Sequence, residues 1–92
     1  MRRGVEAEVV IQNRLGLHAR PAAAFVMITN RYESEITVSK NDFQVNGKSI
    51  MGVMMLGASQ GSRLRLRAEG KDAEALIREL VKLVDHKFNE ES

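Results

Sequence analysis

The segment Ser62-Arg63-Leu64-Arg65-Leu66-Arg67-Ala68 alternates without a break. Side chains of an extended strand point to opposite faces in turn, so Leu64, Leu66 and Ala68 share one face and the three arginines the other. Wound as a helix, the same residues would mix both kinds around the circumference. The chain must therefore build a sheet with one wet face and one apolar face, and the apolar face needs a cover.

Other segments supply the neighbours. Residues 6–12 alternate with Ala7, Val9 and Ile11 on one side, and residues 35–39 with Ile36 and Val38 inward. Lys40-Asn41-Asp42 is a turn signal, Phe43-Gln44-Val45 the return strand of a hairpin, and Asn46-Gly47 a break. The cover is helical. Pro21 opens one helix, in which Ala22, Phe25, Ile28 and Thr29 recur at helical spacing, ending near Asn30 or Arg31. Ser49 caps a short helix, Ile50 to Leu56, stopped before Gly57. Asp72, a better cap than Lys71, starts a third. Its apolar stripe is Ala73, Leu76, Ile77, Leu80, Leu83, Val84 and Phe88, with His86 on the polar face in a structural role. The tail from Asn89 to Ser92 is expected to fray. The order is β-α-β-β-α-β-α, an open-faced sandwich of the α+β class with helices on one side.

Length and composition exclude other designs. With 92 residues, residues 1–92 form a single domain with no deep cleft for a large cofactor, and no cofactor is expected. No cysteine occurs, which removes disulfides, thiolate chemistry and sulfur-bound zinc. The two histidines, His18 and His86, are far apart, so no metal site is expected. No run of about 18 apolar residues is present, and Met1-Arg2-Arg3-Gly4 has no apolar segment behind it, so neither a membrane span nor a secretory signal is expected. The protein is read as cytoplasmic. The net charge is +2, but its layout is uneven. No acid lies between Asp42 and Glu69, where Lys48, Arg63, Arg65 and Arg67 fall, or from Gln12 to Thr29, where Arg14 and Arg20 fall. If these stretches meet, they form a basic face for phosphate or acidic partners; otherwise they are solvated strand and loop positions.

Two segments can carry chemistry. In Gly16-Leu17-His18-Ala19-Arg20-Pro21, a histidine stands just before a proline-marked helix start. Helix N-terminal N–H groups bind anions, and an arginine adds a planar fork matched to phosphate oxygens. A neutral imidazole there can take up a phosphoryl group and release it again. The plain alternative is a histidine that caps a helix or packs in a loop. In Asn46-Gly47-Lys48-Ser49-Ile50-Met51-Gly52-Val53-Met54-Met55-Leu56, the serine cap would tolerate a phosphate. So short a helix cannot bury Ile50, Met51, Val53, Met54, Met55 and Leu56 alike, and exposed methionines suit a surface that meets several partners. The alternative is a cap plus core packing. Gly47-Lys48-Ser49 is no P-loop, because Asp42 stands where the earlier glycine belongs. Nucleic-acid binding is not expected either, since Phe25, Tyr32, Phe43 and Phe88 are the only aromatics and two of them fall on helices.

Together, Leu15-Gly16-Leu17-His18-Ala19-Arg20-Pro21-Ala22 and Asn46-Gly47-Lys48-Ser49-Ile50-Met51-Gly52-Val53-Met54 resemble the active-site and regulatory-serine motifs of the HPr family. These are phosphocarrier proteins of the phosphoenolpyruvate-dependent phosphotransferase system. The resemblance covers about residues 5–88. It implies an antiparallel sheet with three helices on one face. It implies that His18 accepts a phosphoryl group on Nδ1 from Enzyme I and passes it to an EIIA protein or domain, supported by Arg20, with Gly16, Ala19 and Pro21 shaping the helix start. Such a chain is a carrier with a phosphohistidine intermediate rather than a free-standing catalyst, and is expected to act as a monomer. Ser49 matches the site of HPr kinase/phosphorylase, and Ile50, Met51 and Met54, with Lys48, the docking surface. Asn13-Arg14-Leu15-Gly16 looks more like the nitrogen-related branch, NPr, and Met55 stands where many members have serine.

Overall fold

The alternating arginine segment becomes an inner strand of a four-stranded sheet. A computed structural model describes residues 4–90. The elements are β1 (Gly4–Val10), α1 (Ala19–Thr29), β2 (Glu35–Lys40), β3 (Phe43–Asn46), α2 (Ile50–Met55), β4 (Arg63–Glu69) and α3 (Ala73–Asp85), then a 3₁₀ turn at Lys87–Asn89. The sheet order is β1-β4-β2-β3, antiparallel throughout. This is the expected architecture.

Register follows from the alternation. Leu66 stands opposite Ala7 on one side and Val38 on the other, and Leu64 opposite Val9. On the outer face Arg67 stands opposite Glu6, and Arg65 opposite Glu8. A slip of one residue would put leucines in water and arginines in the core, so the register is strongly specified. Over the apolar face, α3 buries Ala73, Leu76, Ile77, Leu80 and Val84 and lies on β1 and β4. α1 buries Pro21, Ala22, Phe25, Val26, Ile28 and Thr29 and packs on both other helices.

Several boundaries move. β1 starts and stops two residues before the expected 6–12, because the ladder ends at Val10 opposite Arg63. β4 gains Glu69 and loses Ser62, and β3 gains Asn46. α2 ends at Met55. α1 begins at Ala19, so Pro21 is its third residue; proline fits there because first-turn N–H groups have no acceptor within the helix. Asp72 is the N-terminal boundary of α3, but its side chain does not cap. It accepts hydrogen bonds from the N–H groups of Glu33 and Ser34, each at 2.9 Å, and from the Ser34 hydroxyl. Those bonds hold its carboxyl below the usual carboxylate range, the Ser34 hydroxyl contributing most.

The end of the chain corrects two expectations. α3 stops at Asp85, so Phe88 is not on that helix. Lys87, Phe88 and Asn89 take left-handed backbone at φ 56°, 56° and 64°, and this turn buries Phe88. Left-handed backbone costs about 1–2 kcal/mol per non-glycine residue, so burial of the ring has to offset it. The tail does not fray at Asn89 and Glu90, whose N–H groups bond the carbonyls of His86 and Lys87. Glu91 and Ser92 lie outside the described residues.

The single basic face does not form. The β4 arginines lie on the outer face, away from the helices. Arg63 is 3.2 Å from Glu8, and Arg67 is 2.7 Å from Glu6 and 3.2 Å from Glu69. Glu8 and Glu6 of β1 and Glu69 of β4 itself thus balance Arg63 and Arg67, while Arg20 sits on α1.

Candidate functional site: the start of α1

The loop before α1 is fixed from inside. Asn13 is fully buried, and its Nδ2 donates to the Gly16 carbonyl at 2.8 Å. The Gly16 N–H returns a bond to the Asn13 carbonyl at 3.2 Å, and the Leu17 N–H reaches the Ala58 carbonyl at 2.9 Å. Gly16 has φ +71°, and a Cβ there would lie 2.3 Å from the Ala58 oxygen. Glycine is required by both angle and space.

His18 is the N-cap of α1, with extended backbone, and its side chain makes no capping bond. Its carbonyl accepts from the Ala22 N–H at 3.0 Å. Among the described residues, nothing accepts from the N–H of Ala19 or Arg20, and Pro21 has none to offer. Two donors therefore point out of the helix beside the imidazole, where the helix dipole also favours negative charge. Arg20 is exposed and has no carboxylate partner among the described residues. The His18 side chain is 37% exposed, yet its Nε2 is closed off from solvent. Nε2 lies 3.2 Å from Oε2 of Glu90, outside good hydrogen-bond geometry. The other Glu90 oxygen accepts from Asn13 Nδ2 at 3.0 Å. His18, Arg20, Gly16, Ala19 and Pro21 thus form one site, joined by Asn13 and Glu90, which sequence reasoning did not single out. Glu90 is 77 residues from Asn13, and no local pattern announces such a contact.

Ser49 is elsewhere. Its Oγ accepts from the Gly52 N–H at 3.0 Å, capping α2. The segment before it is tied to the far end of α1: Thr29 Oγ1 donates to the Gly47 carbonyl at 2.8 Å and Asn30 Nδ2 to the Lys48 carbonyl at 3.3 Å. The 11 residues of α1 separate the two motifs, which makes about 16 Å at 1.5 Å per residue. Lys48 is engaged internally, its Nζ donating to the Tyr32 carbonyl at 2.7 Å. On α2, Val53 and Leu56 are buried while Ile50, Met51, Met54 and Met55 are exposed, so the apolar run divides as expected. Met27 on α1 and Leu15 beside the histidine loop are also exposed, at 66% and 72%. Among the described residues no cluster of metal-ligating side chains occurs, and no helix is long and apolar enough to cross a membrane.

The family model for the PTS HPr component phosphorylation site matches residues 5–86. The chain belongs to the HPr family. It is 42% identical over 88 residues to the phosphocarrier protein HPr of Xylella fastidiosa, covering 96% of this chain and 99% of that one. The crystal structure of HPr from Thermoanaerobacter tengcongensis superposes with a TM-score of 0.92 at 50% identity, covering 96% of this chain and 99% of the other. A second structure from that organism, described as an HPr dimer, gives 0.76 at 51% identity, covering 89% and 94%. The chain is thus an HPr-type phosphocarrier of the phosphotransferase system, and family members include dimers.

Proposed function

We propose that His18 takes a phosphoryl group from the phosphorylated histidine of Enzyme I and passes it to a histidine of an EIIA protein or domain. The observation that carries this is the open start of α1, where a part-exposed imidazole stands beside two N–H groups and an Arg20 guanidinium that have no partner among the described residues. Phosphoryl transfer passes through a loose transition state with charge spread over three equatorial oxygens. Donors fixed in advance around those oxygens stabilise that charge without reorganising. The burial of Nε2 supports attack by Nδ1.

The chain works as a single cytoplasmic domain and a monomer, docking larger partners through Ile50, Met51 and Met54. Met27 near the far end of α1 and Leu15 in the loop before His18 are exposed as well. Ser49 is the regulatory site for an HPr kinase/phosphorylase, whose phosphate would place charge at the edge of the apolar patch. The exposed Leu15 beside the active loop supports a second reading, an NPr-type member serving a nitrogen-related EIIA rather than sugar uptake.

The test is mass spectrometry of the protein after incubation with two donors. Enzyme I plus phosphoenolpyruvate should give acid-labile phosphate on His18, and the kinase plus ATP acid-stable phosphate on Ser49. His18→Ala should lose the first label and keep the second. Labelling of His18→Ala from Enzyme I at the wild-type rate would overturn the assignment.

A further inference from the structure

We propose that Met51, Met54 and Met55 are oxidation sites, through which a peroxide weakens partner docking while His18 keeps its ability to take up phosphate. The inference rests on the carrier reading above and adds a chemical control to its docking face. Three observations support it. First, the methionines are sorted. The buried apolar core is built of Val, Ile, Leu, Phe and Ala and holds no methionine, whereas Met27, Met51, Met54 and Met55 are all exposed. Met1 lies outside the described residues. Second, three of these four crowd one helix face. At about 100° per residue, Ile50, Met54, Met51 and Met55 fall in that order within an arc of about 140°, with the buried Val53 and Leu56 on the other side. Third, the chain has no cysteine, so no thiol of its own competes for an oxidant. Oxidation therefore lands on the face read as the docking surface and spares the core.

The step is a two-electron oxygen transfer. The sulfur lone pair attacks one peroxide oxygen, and the oxygen–oxygen bond breaks. The departing hydroxide takes the proton from the new sulfur–oxygen group and leaves as water. The thioether is oxidised to a sulfoxide, and the peroxide is reduced. The two forms behave differently under a partner. A thioether is apolar and adaptable, and covering it removes no hydrogen bond of note. A sulfoxide oxygen is a strong acceptor, and a partner surface shaped for apolar side chains leaves it dry and unpaired, which opposes docking. The change is reversible. A dithiol-dependent methionine sulfoxide reductase removes the oxygen as water while its dithiol closes to a disulfide. The phosphate site itself holds no sulfur: Asn13, Gly16, His18, Arg20 and Glu90 have none to oxidise, and α1 separates that site from the segment leading into α2.

The full-length protein treated with hydrogen peroxide tests this. Peptide mass spectrometry should find one added oxygen on each of Met27, Met51, Met54 and Met55, slowest at Met54, which is 41% exposed. The denaturation midpoint should stay where it was, because the core holds no methionine. In transfer from Enzyme I, KM for the treated protein should rise roughly tenfold with kcat little changed. Uptake from phosphoramidate, which needs only the nucleophile, should stay within about twofold of the untreated rate. Reductase treatment should bring KM back. Combining Met51→Leu, Met54→Leu and Met55→Leu keeps the helix and its apolar face. That variant still oxidises at Met27, yet its KM should be the same before and after peroxide. Met27→Leu should still show the full rise. No rise in wild type carrying all three sulfoxides of α2, or the same rise in the triple variant, would overturn the proposal. So would an equal fall in uptake from phosphoramidate, which would put the damage at His18. If Enzyme I labels treated and untreated protein alike, this proposal falls alone. If untreated protein is labelled by phosphoramidate but not by Enzyme I, the partner reading falls and takes this proposal with it.

Discussion

At the start of α1 the capping residue, His18, leaves the helix N–H groups unfilled; at the start of α2 the capping residue, Ser49, fills the Gly52 N–H with its own oxygen. The first start is open to an anion from outside, and the second is closed by the chain. The side chains explain the difference. A serine hydroxyl is short enough to fold back onto its own helix. The imidazole turns instead towards Glu90. An open start leaves helix stability uncollected in exchange for a binding place, and a closed one secures a six-residue helix that has little else to nucleate it.

Three substitutions sharpen or break that contrast. The largest effect is expected from Gly16→Ala, which puts a Cβ 2.3 Å from the Ala58 oxygen on left-handed backbone. It should cost about 2 kcal/mol or more in chemical denaturation and slow phosphate uptake at His18 as the loop shifts. Unchanged stability together with unchanged uptake would show that the open start does not depend on this turn. Ser49→Ala removes the closed cap and should cost about 1 kcal/mol, read as a lower denaturation midpoint. Uptake at His18 from phosphoramidate should stay at the wild-type rate. A matching fall in that rate would mean that the two starts are coupled.

The smallest effect is expected at the third helix start. The Asp72 carboxyl is held below its ordinary range, so its share of stability is complete above the unfolded carboxylate pKa of about 3.9. That share is lost as pH falls through the lower folded value. Asp72→Asn should therefore weaken the protein near neutrality and flatten the acid side of its stability profile. Wild type and variant with parallel profiles from neutral to acid would contradict this.

The comparison also marks how far the sequence could be read. The sheet was legible because Leu64, Leu66 and Ala68 leave no other solution, and α1 because Ala22, Phe25 and Ile28 share a helical face. The helix starts that hold His18, Arg20 and Ser49 were legible because such starts have local signatures. Contacts made by distant groups were not. Asp72 read as a cap, yet residues 33 and 34 take its carboxylate. The β4 arginines read as free charge until the register set Glu6 and Glu8 across from them. The tail read as loose because a left-handed run without glycine has no sequence signal.

The length of α1 has one more consequence. With His18 at one end and Ser49 at the other, groups attached to the two cannot touch. If both residues carry phosphate, as proposed, the small domain cannot compare its own two marks. Only a protein whose footprint spans the helix from end to end can register both at once, so the decision to act on them rests with the reader and not with the messenger.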